Sequence, residues 1–301
     1  MIRVGRKTWE DRILDAFIYI SLIFLVIVTL YPFLNTLAVS FNDAMDSSRG
    51  GITLWPRKFT LYNYQTLLTR SQIYHATLVS AARTVLSTVF GVFCTAMAAY
   101  IISRREFVLR RFVSFIYVLT MYIDGGLVPT YFLMRSLKLT NSFWVYVLPG
   151  LVSAFNLIVI RTYIAGLSES YVESARIDGA GEFTIFLRII LPLCKPVLAT
   201  IALFIAVDNW NAWFDTFLYN SANAQLSTLQ YELMKVLQSA NTMSGSLLQA
   251  LSRAAAGTTN TVTPRAIRAT MTIIVSVPIV AVYPFLQRYF VHGLTLGGIK
   301  E

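Results

Sequence analysis

The stretch Glu173-Ser-Ala-Arg-Ile-Asp-Gly-Ala-Gly-Glu-Phe-Thr-Ile-Phe-Leu-Arg-Ile-Ile-Leu-Pro192 is a polar island between two long apolar runs. Ser170 and Glu173 have capping-box spacing, which predicts a helix beginning near Tyr171. Asp178-Gly179-Ala180-Gly181 breaks that helix, and a second short helix over 182–190 leads to Pro192, which starts the next apolar run. Glu173 then has two readings: it caps its own helix, or it offers a fixed charge to something outside the membrane. The surroundings decide which fold class the island belongs to.

Those surroundings are apolar. Hydrophobic residues make up 56% of the 301, aromatic residues 14% and charged residues only 13%, with a mean hydropathy of +0.61. A soluble domain of this length carries about twice the charge. Six runs are long enough for a helix to cross a hydrocarbon core, at about 14–38, 75–103, 112–134, 143–165, 192–219 and 267–290. They are continuously apolar rather than alternating with period two, which excludes a transmembrane barrel. The expected fold is an all-α integral membrane protein, one transmembrane domain over 1–301 with six spans.

Basic residues resist translocation, so their clustering orients the chain. Arg3, Arg6, Lys7 and Arg12 precede the first span, and Arg104, Arg105, Arg110 and Arg111 fill the second connection. Both belong in the cytoplasm. With six spans the loop 168–191 and the C-terminus also face inward, and the loop 220–266 faces outward. The first span is long and has no small-x-small cleavage site after it, so it reads as uncleaved. The net charge of +10 lies largely in these cytoplasmic flanks. It suits topology and anionic lipid headgroups, and no nucleic-acid motif accompanies it.

Catalytic chemistry finds no foothold. Cys94 and Cys194 lie at or inside spans, and His75 and His292 fall on opposite sides of the membrane in this topology. Neither a metal set nor a nucleophile with its base can be assembled from them. The Gly-rich end, Gly293-Leu-Thr-Leu-Gly297-Gly298-Ile-Lys300, lacks the spacing of a phosphate loop, so the chain is expected to bind no cofactor. Any ATP-driven engine would be a separate subunit.

Polar residues inside spans are costly and usually face a cavity or a partner. Asp208, Asn211 and Asp215 recur at spacings of three and four on the fifth span, beside Trp210, Trp213 and Phe217. Asp208 is about 18 Å along the helix from Pro196. The stripe is a candidate translocation path; tryptophans near a span end also serve as interfacial anchors. Asp124-Gly125-Gly126 with Pro129 interrupts the third span, either as a bend packed by neighbours or as backbone opened to a cavity. Arg83 could pair with Asp124 or snorkel outward. The outer loop carries an amphipathic stretch at 226–237, which reads as a lid over the bundle or as a dock for a delivering protein.

The motif Glu173-x-Ala175, three residues, Gly179, nine residues, Ile189-x-Leu191-Pro192 resembles the coupling loop of permease subunits in binding-protein-dependent ABC importers. Ser174 stands where that family usually has Ala. Tyr31-Pro32-Phe33, Ser40-Phe41-Asn42, Ala98-Ala99-Tyr100, Gly125-Gly126-Leu-Val-Pro129, Trp210-Asn211 and the Gly293–Lys300 tail resemble its carbohydrate branch, which includes the second maltose-importer permease. Trp210-Asn211-Ala-Trp-Phe-Asp215, Leu229-Gln230-Tyr231 and Tyr283-Pro284-Phe285-Leu286-Gln287 are similar to permeases for complex oligosaccharides, including oligouronides such as alginate.

The resemblance implies a type I importer permease of the bacterial inner membrane, partnered by a second homologous permease, a dimer of ATPase subunits holding ATP and Mg, and an extracytoplasmic solute-binding protein. It implies that Glu173, Ser174, Ala175, Asp178, Gly179, Ala180, Gly181 and Pro192 couple to the ATPase. It also implies that the tail with Gly293, Gly297, Gly298 and Lys300 reaches between the ATPase subunits.

Overall fold

The computed structural model describes residues 8–241 and 262–295, and these contain helices and no β-strand. They fall into two units, 1–69 with 236–274 and 70–235 with 275–301.

In the first unit, α1 (Trp9–Ser40) starts at a closed capping box. Thr8 Oγ1 accepts the Asp11 N–H at 3.3 Å, and the Asp11 carboxylate accepts the Thr8 N–H at 2.8 Å. The following side chains are apolar on all sides and stay exposed, Phe17 at 70% and Phe24 at 67%. A helix with no polar face and no protein cover is suited to lipid. Where α1 ends, a polar knot replaces it.

Asn42, fully buried, donates from Nδ2 to Asp46 and Ser47 and accepts the Lys58 N–H at 2.7 Å, tying the start of α2 (Ala44–Ser48) to the returning loop. Asn63 of α3 (Tyr62–Leu68) donates to the Ser40 and Asn42 carbonyls. The Asn42 amide, with Arg57 beside it, holds the Asp46 carboxyl below the usual carboxylate range. Arg265 and Thr263 close the knot on the carbonyls of Ser47 and Ala44. The Asn42 and Asn63 amides organise this loop.

The second unit is built on α4 (Ser71–Ser103). Ala76, Ser80, Ser87, Gly91, Thr95 and Ala99 form one buried stripe of small residues along it. Small side chains let neighbouring backbones approach, the means by which helices associate where hydrophobic burial offers no drive. At Gly91 an added β-carbon would lie 3.2 Å from Ile205.

The region expected as a third span is divided into α5 (Arg110–Leu119) and α6 (Leu127–Ser136). The region expected as a fourth contains a 3₁₀ turn (Phe143–Tyr146), irregular backbone, and α7 (Ala154–Ala165). Irregular backbone at membrane depth survives only where its polar groups find partners. The α4 stripe supplies them: Ser87 donates to the Tyr146 carbonyl at 3.2 Å and Thr95 to the Leu151 carbonyl at 3.1 Å.

Next come α8 (Ser170–Ile177) and α9 (Glu182–Ile185). A π turn (Phe186–Ile190) and α10 (Leu191–Leu193) carry α9 onward to α11 (Lys195–Asn211). The chain bends by 83° between Leu193 and Lys195. The straight apolar helix thus begins at Lys195, three residues beyond Pro192, the proline expected to open the fifth span. Pro196 has no N–H for the carbonyl four residues back, and the helix breaks ahead of it, at Cys194.

Then follow α12 (Phe214–Asn220), α13 (Leu229–Asn241) and α14 (Pro264–Thr295). By length and composition α1, α4 and Pro264–Val282 of α14 are each able to cross a membrane, and the bent 182–211 pair is a fourth such element.

Candidate functional site

Helix α8 is held from beneath and open above. Val172 and Ala175 are buried among Ile160, Ile164 and Ile190, while Glu173, Ser174 and Asp178 are exposed, as are three apolar side chains, Tyr171, Ile177 and Phe183. Ile177 is 87% exposed.

The turn after α8 is a Schellman motif: Gly179 N–H donates to the Arg176 carbonyl at 3.0 Å and Ala180 N–H to the Ala175 carbonyl at 2.9 Å. Gly179 has φ of +78°, a conformation that penalises any β-carbon, and among the described residues none beyond its chain neighbours lies within 4 Å of where one would sit. Gly181, also exposed, precedes α9 with ordinary extended backbone. Pro192 is exposed and sits ahead of the 83° bend. The predicted capping box is absent. Glu169 occupies the N-cap, Ser170 is already helical and bonds to Ser168 Oγ, and neither Ser170 nor Glu173 caps α8. Glu173 is thus free of the structural duty the spacing suggested.

Arg176 fastens this element to its neighbours. Its guanidinium pairs with Glu106, from the connection after α4, and with Glu182 of α9 at 2.8 Å; Tyr100 at the end of α4 donates to Glu182 at 2.6 Å. The Arg176 hydrogen bond holds Glu106 below the usual carboxylate range. The Tyr100 hydroxyl, then Arg176, do the same for Glu182. The two carboxylates raise Arg176 above its ordinary value.

At the other end of the unit the expected Asp208–Asn211–Asp215 stripe is split. Helix α11 ends at Asn211, Ala212 is extended, and α12 restarts at Phe214. Asp208 and Asn211 remain on an exposed face with Trp213 half-buried beyond them, and Asp215 leaves that face. Asp215 pairs instead with Arg83, which is 3% exposed. Arg83 donates to Asp215 Oδ1 at 3.1 Å, to the Ala212 carbonyl at 3.3 Å and to Asn209 at 3.4 Å, and it lies 4.7 Å over the Tyr146 ring. The break is therefore healed from α4.

The alternative partner, Asp124, is exposed and accepts the Gly126 N–H at 3.2 Å, turning the chain where Gly126 takes φ of +84°. Trp210 donates to the Val275 carbonyl at 3.0 Å. Gly293 lies within the backbone of α14, and Gly297, Gly298 and Lys300 lie outside the described residues, as do Arg3, Arg6 and Lys7. Among the described residues no cluster of three metal-ligating side chains occurs.

Residues 87–295 match the family described as binding-protein-dependent transport system inner membrane component. The chain belongs to this family. It is accordingly a transport permease component of the inner membrane. The permease is 32% identical over 291 residues to the polygalacturonan/rhamnogalacturonan transport system permease protein YtcP of Bacillus subtilis, covering 97% of this chain and 99% of that protein. It is 30% identical over 304 residues to the arabinooligosaccharides transport system permease protein AraQ of Halalkalibacterium halodurans, covering 98% and 99%. Its fold matches a chain of the crystal structure of a bacterial ABC transporter involved in the import of the acidic polysaccharide alginate. That match has a TM-score of 0.84 at 26% identity and covers 95% of this chain and 100% of the other.

Proposed function

We propose that this permease forms half of the translocation path of an ATP-driven importer for an oligosaccharide and receives its mechanical drive through α8. The observation that carries the reading is the combination at α8: a helix anchored by Val172 and Ala175, ended by a Schellman turn, and presenting Glu173, Ser174 and Ile177 outward. A separate ATPase subunit grips that surface, with ATP and Mg bound there and no cofactor on this chain. Glu173 meets a basic group, and the bare Gly179 backbone admits close approach.

A second homologous permease supplies the other half of the path, and an extracytoplasmic solute-binding protein delivers the sugar. Both termini and α8 face the cytoplasm, and the tail from Gly293 through Gly297, Gly298 and Lys300 adds a second ATPase contact. Asp208, Asn211 and Trp213 line the path, where an aromatic face beside hydrogen-bonding groups suits a pyranose ring. The saccharide class follows from the relatives' names, which speak of polygalacturonan, rhamnogalacturonan, arabinooligosaccharides and alginate.

The test is co-purification of the ATPase with the full transporter. Glu173→Lys together with Gly179→Val is expected to release the ATPase and abolish uptake while membrane insertion persists. Gly179→Asn, which tolerates a positive φ but adds a side chain, separates loss of the turn from loss of close approach. Undiminished ATPase retention in the double variant would sink the coupling role of α8.

A further inference from the structure

Beside α8 lies a cavity of about 360 Å³ whose chemistry the coupling role does not use. Arg104 and Arg105 from the end of α4, Arg110 at the start of α5 and Arg161 near the end of α7 all reach it, together with the hydroxyl-bearing Ser103 and Ser168. Four guanidiniums face one carboxylate, Glu169, which is engaged with Arg105 at 3.6 Å. Among the described residues, no carboxylate forms a close ion pair with Arg104, Arg110 or Arg161, and Glu106 and Glu182 act on Arg104 only at longer range. Arg104 Nε is also buried without a hydrogen-bond partner, even though the same guanidinium lies over the Tyr100 ring at 4.7 Å.

Three elements thus converge cations on one hollow, an arrangement that an anion completes. Guanidinium forks suit the tetrahedral oxygens of phosphate, and a carboxylate ligand would satisfy fewer of them. The floor of the hollow is apolar, formed by Ile102, Ile164 and Ile190. That floor suits the carbon stem of an ester more than a bare ion.

We propose that this hollow is a binding site for a phosphate group, supplied by the headgroup of an anionic phospholipid or by a soluble phosphate. Glu169, Tyr171 and Val172 form one wall, so an occupant braces the base of α8. The binding rests on geometry alone, whereas its bearing on transport rests on the reading of α8 as the coupling helix. Occupancy would then tie the transmission element to the composition of the inner leaflet.

Native mass spectrometry of the full transporter, purified in detergent with added phosphatidylglycerol or phosphatidylcholine, measures the binding without any transport assay. Arg104→Gln with Arg161→Gln is expected to lower retained phosphatidylglycerol at least tenfold relative to wild type. Arg111→Gln, which alters an arginine outside the hollow, changes it less than twofold. If the double variant fails to assemble, Ser168→Glu provides the same test by placing a carboxylate at the hollow. Displacement of phosphatidylglycerol by millimolar inorganic phosphate supports a soluble source, and resistance to it supports the lipid. Equal phosphatidylglycerol retention in the pocket variants and Arg111→Gln, or equal retention of phosphatidylcholine by the wild type with no displacement of either lipid by inorganic phosphate, overturns the site.

Discussion

Arg83 and Arg176 perform the same task in two different media. Each bridges separate elements through carboxylates and hydrogen bonds. Arg83 is buried, joining α4 to the break between α11 and α12; Arg176 is more than a third exposed, joining α8 to Glu106 and Glu182. Charge attraction is strong where water is excluded, and an unpaired charge there is correspondingly costly. In water the same pairing is screened and nearly free to rearrange. The chain thus fixes the interior break rigidly and tethers α8 lightly.

The sharpest way to break the comparison is Arg83→Met. It leaves Asp215 without its cation and the Ala212 carbonyl without its donor, and should cost about 3–5 kcal/mol. Denaturant unfolding of the purified protein would show this as a large loss. Combining it with Asp215→Leu is expected to recover much of that loss, since the uncompensated charge goes with it. A loss below about 1 kcal/mol for Arg83→Met would mean that the buried bridge is no stronger than a surface one.

Volume probes the same interior without charge. Gly91→Val places a β-carbon 3.2 Å from Ile205, and overpacking of this kind costs roughly 1–3 kcal/mol. The same unfolding measurement reports it, and an unchanged midpoint would show that Ile205 yields freely.

At the exposed bridge the effect shrinks. Arg176→Gln is expected to change global stability by less than about 1 kcal/mol, but to raise amide hydrogen exchange across 170–182. Acid should do the same to the wild type. Glu106 and Glu182 are held below the ordinary 4.5, so their contribution is complete above that value and is lost as pH falls through their lower folded values. Exchange in the wild type, corrected for its intrinsic pH dependence, should rise through that window. The Arg176→Gln profile should be shallower there, with the Tyr100 bond to Glu182 left to titrate; parallel profiles would remove Arg176 from the tether.

Local signals were legible in the sequence, and bridges between distant residues were not. The long apolar helices α1, α4 and α14 follow from run length, and the Gly179 turn follows from Asp-Gly after a polar helix. The break near Asp124 also announces itself through Gly125, Gly126 and Pro129. By contrast, the break at Ala212 carries neither glycine nor proline, because its stability comes from Arg83, far away in sequence. That is why the Asp208–Asn211–Asp215 stripe looked continuous. Capping-box spacing misplaced the start of α8 by one residue, since Ser168 competes for Ser170. Pro192 drew attention from Pro196, whose missing N–H sets the bend. The arginine hollow was visible only as flank charge, because Arg161 joins it from another helix.

The stripe along α4 also bears on biogenesis. The Tyr146 and Leu151 carbonyls find their donors on Ser87 and Thr95, and the Ala212 carbonyl finds its donor on Arg83. Leu229 likewise directs its N–H to Ser80. In every pair the α4 residue is translated first. Each of these backbone groups therefore emerges from the ribosome after the α4 side chain that partners it.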